Sequence, residues 1–245
     1  MNILGIIPAR YHSTRFPGKP LAVINDRTMI VRVYEQALKC RDLVDVIVAT
    51  DDERILEVVT KSGGKAMMTS ASHKSGTERC NEVISTLKNG FDAVLNIQGD
   101  EPFLDPGQIS EVARCFINPG VKIATLARPI DDREEIFNPN VVKVIIDKNS
   151  NAIYFSRLPI PFVRGKDPEL WIKETRYFKH IGIYGFRPSV LKEITELPES
   201  VLEKAESLEQ LRWMENGYNI HVKETVYDSF AIDTPSDLLK ITNRD

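Results

Sequence analysis

Short runs of apolar, β-branched residues alternate with amphipathic segments in the first half of the chain. The runs "NILGII", "VDVIVAT" and "AVLNI" are typical of buried strands, and a segment of helical period follows each of them. In "TMIVRVYEQALKC", one helical face carries the apolar residues Ile30, Val33, Tyr34, Ala37 and Leu38. This alternation predicts βαβ units, which form a mainly parallel central sheet with helices on both faces.

The pattern changes from Val121 onward. The runs "VKIATLAR", "VVKVIID" and "AIYFSR" predict strands joined by short turns, and "KHIGIYGF" predicts another strand after a longer Pro-rich loop at 158–169. Two acidic helices are expected next, the second ending near Asn216, and "FAID" (230–233) predicts a last short strand. Because no Gly/Ser-rich linker interrupts the chain, we expect one α/β domain with an inserted mixed β region.

Two helices carry start signals. Asp105 as N-cap, with a proline after it and Gln108 as capping-box partner, predicts the start of one helix. Thr234 followed by a proline predicts the start of the last helix. Since Thr234 can cap that helix, the neighbouring Asp233 stays available for binding.

Composition narrows the function classes. The 245 residues are 42% hydrophobic and 27% charged, which is typical of a globular protein. A formal net charge of −3 gives no general attraction for nucleic acid, so any anion site must be local. No apolar run approaches the ~20 residues of a membrane span, and "NILGII" is too short for a signal peptide. We expect a cytoplasmic protein with neither nucleic acid nor membrane as a partner.

The three cysteines, Cys40, Cys80 and Cys115, are widely spaced and form no CxxC pair. This spacing argues against a zinc site or a disulfide framework and predicts reduced thiols.

A basic loop, "IPARYHSTRFPGKP" (7–20), follows the first predicted strand. It carries Arg10, Arg15 and Lys19, and these side chains suit a triphosphate because Arg grips phosphate oxygens bidentately and Lys supplies a compact charge. Gly18 lets the backbone approach a ligand closely. The loop does not match the GxxxxGK[ST] or GxGxxG motif, and a solvated surface loop is the alternative on composition alone.

Two carboxylates are expected at the same edge of the sheet. Asp100 in "NIQGDEP" and Asp233 in "AIDTP" each follow a short apolar run. Carboxylates at the carboxyl ends of strands could hold Mg²⁺ together with substrate phosphates. Each could equally be a turn or capping residue. Taken with the basic loop, the pair favours metal-assisted phosphoryl or nucleotidyl transfer.

Other candidate residues give weaker signals by themselves. "HKSGTER" (73–79) places Ser75 and a cation at the start of a predicted helix, an arrangement that can bind a base or ribose. In the second half, "YFSR", "KHIGIYGF" and "LEQLR" contain Arg157, His180, Tyr184 and Glu209. A lone histidine such as His180 is more often structural than functional.

These motifs together resemble the 3-deoxy-manno-octulosonate cytidylyltransferases, or CMP-Kdo synthetases, which have an α/β glycosyltransferase-A-like fold. The matching stretches run in order from residue 7 to 238 and include "IPARYHSTRFPGKPL", "HKSGTER", "NIQGDEPF", "FNPNVVKV", "YFSRLPIPF", "KHIGIYGFR", "LEQLRW" and "DTPSDL". The resemblance implies a single nucleotidylyltransferase domain over 1–245. Its parts would be a nucleotide-binding half (1–120), a sugar-binding and dimerisation half (121–230), and a return strand with the C-terminal helix (231–245).

The resemblance also implies an activity. CTP and 3-deoxy-manno-octulosonate (Kdo) would give CMP-Kdo and pyrophosphate for lipopolysaccharide biosynthesis, with Mg²⁺ as cofactor, in a cytoplasmic homodimer. The anomeric hydroxyl of Kdo would attack the α-phosphorus in line, without a covalent enzyme intermediate.

The resemblance assigns roles residue by residue. Arg10, Lys19, Asp100 and Asp233 would be catalytic, and the two aspartates would hold Mg²⁺. The residues expected to bind CTP are Ala9, Arg10, Lys19, Ser75 and Gly76. The residues expected to bind the sugar are Arg15, Arg79, Gln98, Arg157, His180, Tyr184 and Glu209.

Three alternatives stay open. The acid sugar could be 8-amino-Kdo, because the chain departs from the family pattern on the sugar side, with Phe186 where Tyr is typical, Lys179 where Arg is also common, and an unmatched 161–178 loop. A sialic acid cytidylyltransferase would share the basic loop, although "QGDEP" and "HIGIYG" argue against it. A non-catalytic nucleotide-binding regulator would be expected to lack Asp100, Asp233 or Lys19, and all three are present.

Overall fold

The computed structural model describes residues 1–13, 16–87, 90–228 and 230–242. Within these ranges the strands are β1 (Ile3–Ala9), β2 (Val23–Ile24), β3 (Arg27–Thr28), β4 (Asp45–Thr50), β5 (Ala66–Met68), β6 (Ala93–Asn96), β7 (Ile123–Pro129), β8 (Lys143–Ile146), β9 (Ala152–Ser156), β10 (Phe178–Phe186) and β11 (Ile220–Glu224). The α-helices of the same ranges are α1 (Met29–Leu38), α2 (Glu53–Lys61), α3 (Gly76–Leu87), α4 (Pro106–Cys115), α5 (Arg133–Phe137), α6 (Trp171–Glu174), α7 (Pro188–Thr195), α8 (Val201–Glu206), α9 (Gln210–Glu215) and α10 (Pro235–Thr242).

One large sheet organises the molecule. Its strands lie in the order β11-β7-β10-β6-β1-β4-β5, and β8 and β9 extend from β10. β1 pairs in parallel with β4 and β6, and β4 pairs in parallel with β5. β10 runs antiparallel between β6 and β7, and β7 pairs in parallel with β11. The predicted mainly parallel sheet with an inserted mixed region is confirmed.

Apolar side chains cover both faces of this sheet. Along β1, Ile3 and Ile7 pack into a cluster with residues of α1, α2 and α4, whereas Leu4 and Ile6 pack into a second cluster with residues of α3, α7 and α9. This period-two alternation is what a strand buried on both faces requires. Because helices cover both faces, the carboxyl ends of the strands are the place where a ligand site can open.

The strand predicted at 230–233 is wrong. These residues form no strand, although the backbone N–H of Ile232 donates to the Asp100 carbonyl at 2.9 Å. The Ile232 side chain is buried in a small cluster with Ile24 and Met29, so the apolar run reflects local packing rather than sheet pairing. The last strand is instead β11, which sequence analysis did not assign.

The N-caps predicted for α4 and α10 are confirmed, but the capping box of α4 is wrong. Asp105 accepts a hydrogen bond from the Gly107 N–H at 2.7 Å. Gln108, however, is fully buried, and its Nε2 donates to the Asp228 carbonyl at 2.9 Å. For α10, Thr234 Oγ1 accepts from the N–H three residues later at 3.3 Å.

Two details of the helices also differ from the predictions. Leu38, placed on the apolar face of α1, has 53% of its surface exposed because α1 ends at that residue. Three helices, α7, α8 and α9, occupy the region where two acidic helices were predicted, and α9 is followed by Asn216 as its C-cap.

The cysteines are free, as predicted. None of the helices in the described part of the chain combines the length and apolar character needed to cross a bilayer.

Candidate active site

A cavity of about 380 Å³ opens beyond the carboxyl ends of β1 and β6 and beside the start of α3. Many of the residues predicted from the sequence share this cavity. Those that line it are Ala9, Arg10, Lys19, Ser75, Gly76, Arg79, Gln98, Asp100, Tyr184, Glu209 and Asp233. Residues up to 224 positions apart in the sequence therefore meet at one edge of the sheet, where the βαβ pattern predicted a site.

Lys19 joins the two predicted metal ligands. Its Nζ donates to Asp100 Oδ2 at 2.7 Å and lies 3.5 Å from Asp233 Oδ1. Lys19 begins a short 3₁₀ turn directly after Gly18, whose positive φ of 72° turns the chain toward the cavity. The Ile232–Asp100 backbone hydrogen bond holds the two aspartate segments side by side. Both carboxylates thus reach one ammonium group.

The chemistry of these donors fits Mg²⁺. That ion is usually held by one or two carboxylates, with phosphate oxygens and water completing its coordination. Asp100 and Asp233 supply two carboxylates, and their side chains are 25% and 41% exposed, so a nucleotide phosphate could reach them. Among the described residues no cluster of three or more His, Cys, Asp or Glu side chains offers an all-protein metal site. A metal here would therefore depend on the substrate for further ligands.

The basic loop contributes Arg10 to the cavity wall. Ala9, the last residue of β1, is buried, whereas Arg10 is exposed and forms no ion pair with any described residue. Its charge is therefore accessible to an anion in the cavity. Arg15, predicted on the sugar side, lies outside the described residues.

The start of α3 forms a second wall. A Cβ on Gly76 would lie 3.2 Å from the Pro8 side chain and 3.3 Å from Asn96 Nδ2, closer than most Cβ contacts, so the glycine lets the start of α3 pack closely against β1 and β6. Ser75 Oγ accepts from the Glu78 N–H at 3.2 Å, which caps the helix. Backbone and small side chains therefore face the cavity here, as expected for contacts to a nucleoside.

Glu209 is far from the basic loop in the sequence. In the structure it lines the same cavity, and its carboxylate contacts α3. Thr77 Oγ1 donates to Glu209 Oε2 at 2.8 Å, and Arg212 lies 3.4 Å from Glu209 Oε1. Burial raises the pKa of the Glu209 carboxyl, and the hydrogen bonds from Thr77 and Ser75 oppose that rise. Glu209 is thus a carboxyl group that is already hydrogen-bonded before any ligand is present.

Arg79 lines the cavity, but its guanidinium group already forms bonds with other side chains of the protein. It is 3% exposed, its NH2 lies 3.2 Å from Asp51 Oδ2, and its NH1 donates to Thr69 Oγ1. These contacts tie α3 to the segments that follow β4 and β5. Gln98 is also held, because its Nε2 donates to the Gly182 carbonyl at 2.8 Å.

Tyr184 lies on β10, just after an irregularity in its pairing with β7 between Ile181 and Tyr184. Its hydroxyl is buried and forms no hydrogen bond of ordinary geometry with the described residues. Burial, together with the nearby Glu209 carboxylate, raises the pKa of Tyr184 well above its usual value. The hydroxyl is therefore protonated at any physiological pH and can both donate and accept.

His180 does not line the cavity. Its Nε2 lies 3.0 Å from Thr125 Oγ1, and its ring packs 5.1 Å from the Phe155 ring. Burial lowers the pKa of His180 to about 3, so the ring is neutral at physiological pH. Thr125 Oγ1 also lies 2.8 Å from the Ile183 carbonyl and must donate its proton there, which makes His180 Nε2 the donor to Thr125.

Arg157 is also outside the cavity lining. Its guanidinium donates to three backbone carbonyls, those of Glu206 at 2.7 Å, Pro139 at 3.1 Å and Ser207 at 3.3 Å. These bonds tie the turn after α5 to the end of α8. The predicted role of Arg157 in sugar binding has no support from this arrangement.

The cavity is also lined by four residues that were not predicted as site residues from the sequence, namely His73, Asn96, Gln210 and Trp213. Trp213 follows Gln210 by three residues on α9, the spacing that places side chains on one helical face. It is 1% exposed, and its indole Nε1 has no hydrogen-bond partner among the described residues. The "LEQLRW" motif contained both residues, but a tryptophan in an amphipathic helix is read first as a core residue.

Known proteins resemble this chain over nearly its whole length. The sequence profile of the family described as cytidylyltransferase matches residues 4–224. A 3-deoxy-manno-octulosonate cytidylyltransferase of Bacteroides thetaiotaomicron is 55% identical over 97% of this chain and 96% of its own length. One of Parabacteroides distasonis is 53% identical over 98% of this chain and 96% of its own length.

Solved structures agree with these sequence matches. The structure of a CMP:2-keto-3-deoxy-manno-octonic acid synthetase complexed with CTP superposes with a TM-score of 0.91 at 42% identity, covering 99% of this chain and 98% of that one. The 4-diphosphocytidyl-2C-methyl-D-erythritol synthase of Anaerococcus prevotii, at 14% identity and a TM-score of 0.62, shares the fold alone. Since the sequence identity is high and extends along the full chain, this protein belongs to the 3-deoxy-manno-octulosonate cytidylyltransferase family.

Proposed function

We propose that this protein transfers the cytidylyl group of CTP to 3-deoxy-manno-octulosonate and releases pyrophosphate. The observation that carries the proposal is the contact of Lys19 with both Asp100 and Asp233 at the edge of the cavity. Cation and carboxylates side by side suit a triphosphate that arrives with a divalent ion. The names of the relatives support CTP and this acid sugar as the substrates.

The charged groups of the cavity would bind and orient the triphosphate. Arg10 would pair with phosphate oxygens, and Lys19 would offset the charge that develops as pyrophosphate leaves. Asp100 and Asp233 would hold Mg²⁺, which supplies positive charge on the phosphate oxygens and makes a neighbouring hydroxyl more acidic. Ala9, Ser75 and Gly76 would contact the cytidine.

Direct attack of the sugar hydroxyl on the α-phosphorus is the simplest course for this site. No cysteine is among the described residues that line the cavity, and burial raises the pKa of the Cys115 thiol to about 11. A covalent thiol intermediate therefore has no support. Gln98, Tyr184 and Glu209 would hold the acid sugar, with the Tyr184 hydroxyl and the Glu209 carboxyl presented to its hydroxyl groups.

Pyrophosphate release tests this proposal. Each of CTP, UTP, ATP and GTP is combined with Kdo, 8-amino-Kdo or N-acetylneuraminate, with Mg²⁺ or with EDTA. We expect rapid release only with CTP, Kdo and Mg²⁺. No release with CTP and either Kdo acid would refute the function, and release with 8-amino-Kdo alone would reassign the sugar.

The homodimer and the cytoplasmic location expected from the sequence stay predictions. Light scattering coupled to size exclusion tests the first: a mass near twice the chain mass of 27.8 kDa is expected.

A further inference from the structure

Tyr11 connects the basic loop to a helix that lies outside the cavity lining. The guanidinium carbon of Arg54 lies 3.4 Å from the centre of the Tyr11 ring, a close cation–π contact. Arg54 is the second residue of α2 and does not line the cavity. Arg54 therefore contacts the basic loop from a position outside the cavity lining.

Asp52 fixes the position of that guanidinium. Arg54 Nε donates to Asp52 Oδ1 at 2.9 Å and Arg54 NH2 donates to Asp52 Oδ2 at 2.7 Å, a bidentate pair. Asp52 is also the N-cap of α2 and accepts from the Arg54 N–H at 3.0 Å. The side-chain bond to Arg54 lowers the pKa of the Asp52 carboxyl, so the pair is charged at neutral pH. An exposed arginine with a free side chain would have many rotamers, whereas this one is held by its own helix cap.

The other end of the loop also contacts Tyr11. The Gly18 N–H donates to the Tyr11 carbonyl at 2.9 Å. A Cβ on Gly18 would lie 3.2 Å from the Tyr11 ring, and Gly18 has a φ of 72°. Tyr11 thus contacts the residue just before Lys19 and itself follows Arg10. Arg10 and Lys19, the two described cations of the basic loop that line the cavity, are therefore the direct chain neighbours of Tyr11 and Gly18, which contact each other.

This geometry matters because ordering a loop opposes ligand binding. A loop that is already held in its binding conformation loses less conformational entropy when a ligand arrives. We propose that Arg54, acting through Tyr11, is a positioning residue that pre-organises the basic loop for the triphosphate of the nucleotide. The inference rests on the proposed function, since it takes CTP as the ligand of that loop.

Calorimetric binding of CTP, without sugar, tests the proposal. Arg54→Ala and Tyr11→Leu each remove the cation–π contact, and we expect each to raise the Kd for CTP by ~5–20-fold. Tyr11→Phe keeps the ring and should restore most of the affinity. The double variant should bind about as well as either single variant, because both remove the same contact.

Lys61→Ala provides the matched control. Lys61 lies on the same helix and pairs with Glu57 at 2.5 Å, so its loss also removes one surface ion pair from α2. We expect its CTP affinity to equal that of the wild type, and the melting temperatures of Arg54→Ala and Lys61→Ala to be similar. In steady-state assays Arg54→Ala should raise the KM for CTP while kcat and the KM for the sugar stay close to the wild type.

Equal CTP affinity in Arg54→Ala and Lys61→Ala would overturn the inference. So would additive losses in the Arg54→Ala/Tyr11→Leu double variant, since they would mean that Arg54 acts independently of Tyr11. If the wild-type protein itself fails to bind CTP, the proposed function fails instead, and the two failures are therefore distinguishable.

Discussion

Lys19 and Lys143 are both largely shielded from solvent, but they contact different kinds of partner. Lys19 contacts carboxylates, whereas Lys143 contacts backbone carbonyls. Lys19, with a side chain 15% exposed, contacts the carboxylates of Asp100 and Asp233. Lys143 is fully buried, and its Nζ donates to three backbone carbonyls, those of Val141 at 2.6 Å, Arg157 at 2.6 Å and Asn138 at 2.9 Å.

The nature of the partner decides what each lysine can do. Carboxylates can exchange an ammonium group for a metal ion or can share it with a phosphate, so Lys19 belongs to a binding arrangement. The Lys143 ammonium group instead satisfies backbone carbonyls that are partly withdrawn from water, so Lys143 is a structural residue. Arg157, which also donates to carbonyls, belongs with Lys143. Charge alone therefore does not identify a binding residue, but the partner of the charge does.

The largest effect expected from this comparison is on turnover. Asp100→Asn removes the carboxylate that contacts Lys19 at 2.7 Å and should lower kcat by about 10²–10³-fold, because transition-state charge loses its support. Steady-state pyrophosphate release measures the loss. Asp45→Asn is the matched control, since Asp45 pairs with Lys65 at the same 2.7 Å on the surface.

The fold of Asp100→Asn should be intact, with a melting temperature near that of the wild type. A well-folded Asp100→Asn protein with near-normal turnover would sink the assignment of this carboxylate.

The second effect is on stability. Lys143→Met removes the ammonium donor from three partly buried carbonyls, of which that of Asn138 keeps a second donor, the Val141 N–H at 3.1 Å. The substitution should lower the free energy of unfolding by ~3 kcal/mol, or the melting temperature by roughly 10 °C. Lys65→Met, at a surface pair with the lysine side chain 63% exposed, should cost less than about 1 kcal/mol. Denaturant unfolding measures both. If Lys143→Met were as stable as Lys65→Met but had lost sugar binding, Lys143 would have to be reassigned to the site.

Those parts of the fold and of the site that have a signal in a short stretch of sequence could be predicted, and those that depend on contacts between distant residues could not. The βαβ alternation predicted β1, β4 and β6, and their order placed Asp100 near the basic loop. Lys19, Asp100 and Asp233 follow or precede short apolar runs, so their positions could be inferred from local pattern. Arg157 could not be placed in the same way, because its carbonyl partners lie up to 50 residues away and backbone carbonyls leave no signal in sequence.

The run at 230–233 shows a different limit. An apolar pair beside a polar turn is typical of a short strand, yet Ile232 is buried in a side cluster and its backbone makes one hydrogen bond with Asp100. Only the tertiary contact distinguishes this from a strand.

A smaller effect is expected on the pH dependence of the free energy of unfolding, through His180. Its pKa is about 3 in the folded protein, below the usual 6.5, so the unfolded chain takes up the proton first as pH falls. The stability that the neutral ring contributes is present above pH 6.5 and is lost as pH falls toward 3. From pH 7 to pH 5 this amounts to about 2 kcal/mol.

His180→Gln retains a donor for Thr125 and should lack this part of the pH dependence, whereas His12→Gln, at an exposed position, should retain it. Urea unfolding at pH 7, 6 and 5 measures the difference. An identical slope in His180→Gln and the wild type would contradict a buried neutral ring.

The smallest effect concerns a donor that has no hydrogen-bond partner in the described part of the chain. Buried N–H groups are nearly always hydrogen-bonded, so the indole Nε1 of Trp213 on the cavity wall is expected to donate to a bound ligand or water. The Trp213 ring packs edge-on 5.2 Å from the Tyr184 ring, on the side of the cavity proposed for the sugar. Trp213→Phe removes the N–H and should raise the KM for Kdo by about 3–10-fold, the equivalent of ~1 kcal/mol, with the KM for CTP unchanged.

The other tryptophan supplies the control. Trp171 is also buried, but its Nε1 donates to the Lys166 carbonyl at 3.2 Å, so Trp171→Phe should affect stability and leave the KM for Kdo unchanged. Because the chain has two tryptophans, Trp171→Phe also leaves Trp213 as the single indole fluorophore. Its emission should change when Kdo is added. Constant emission on saturation with Kdo, together with an unchanged KM in Trp213→Phe, would place the sugar elsewhere and leave Trp213 as a core residue.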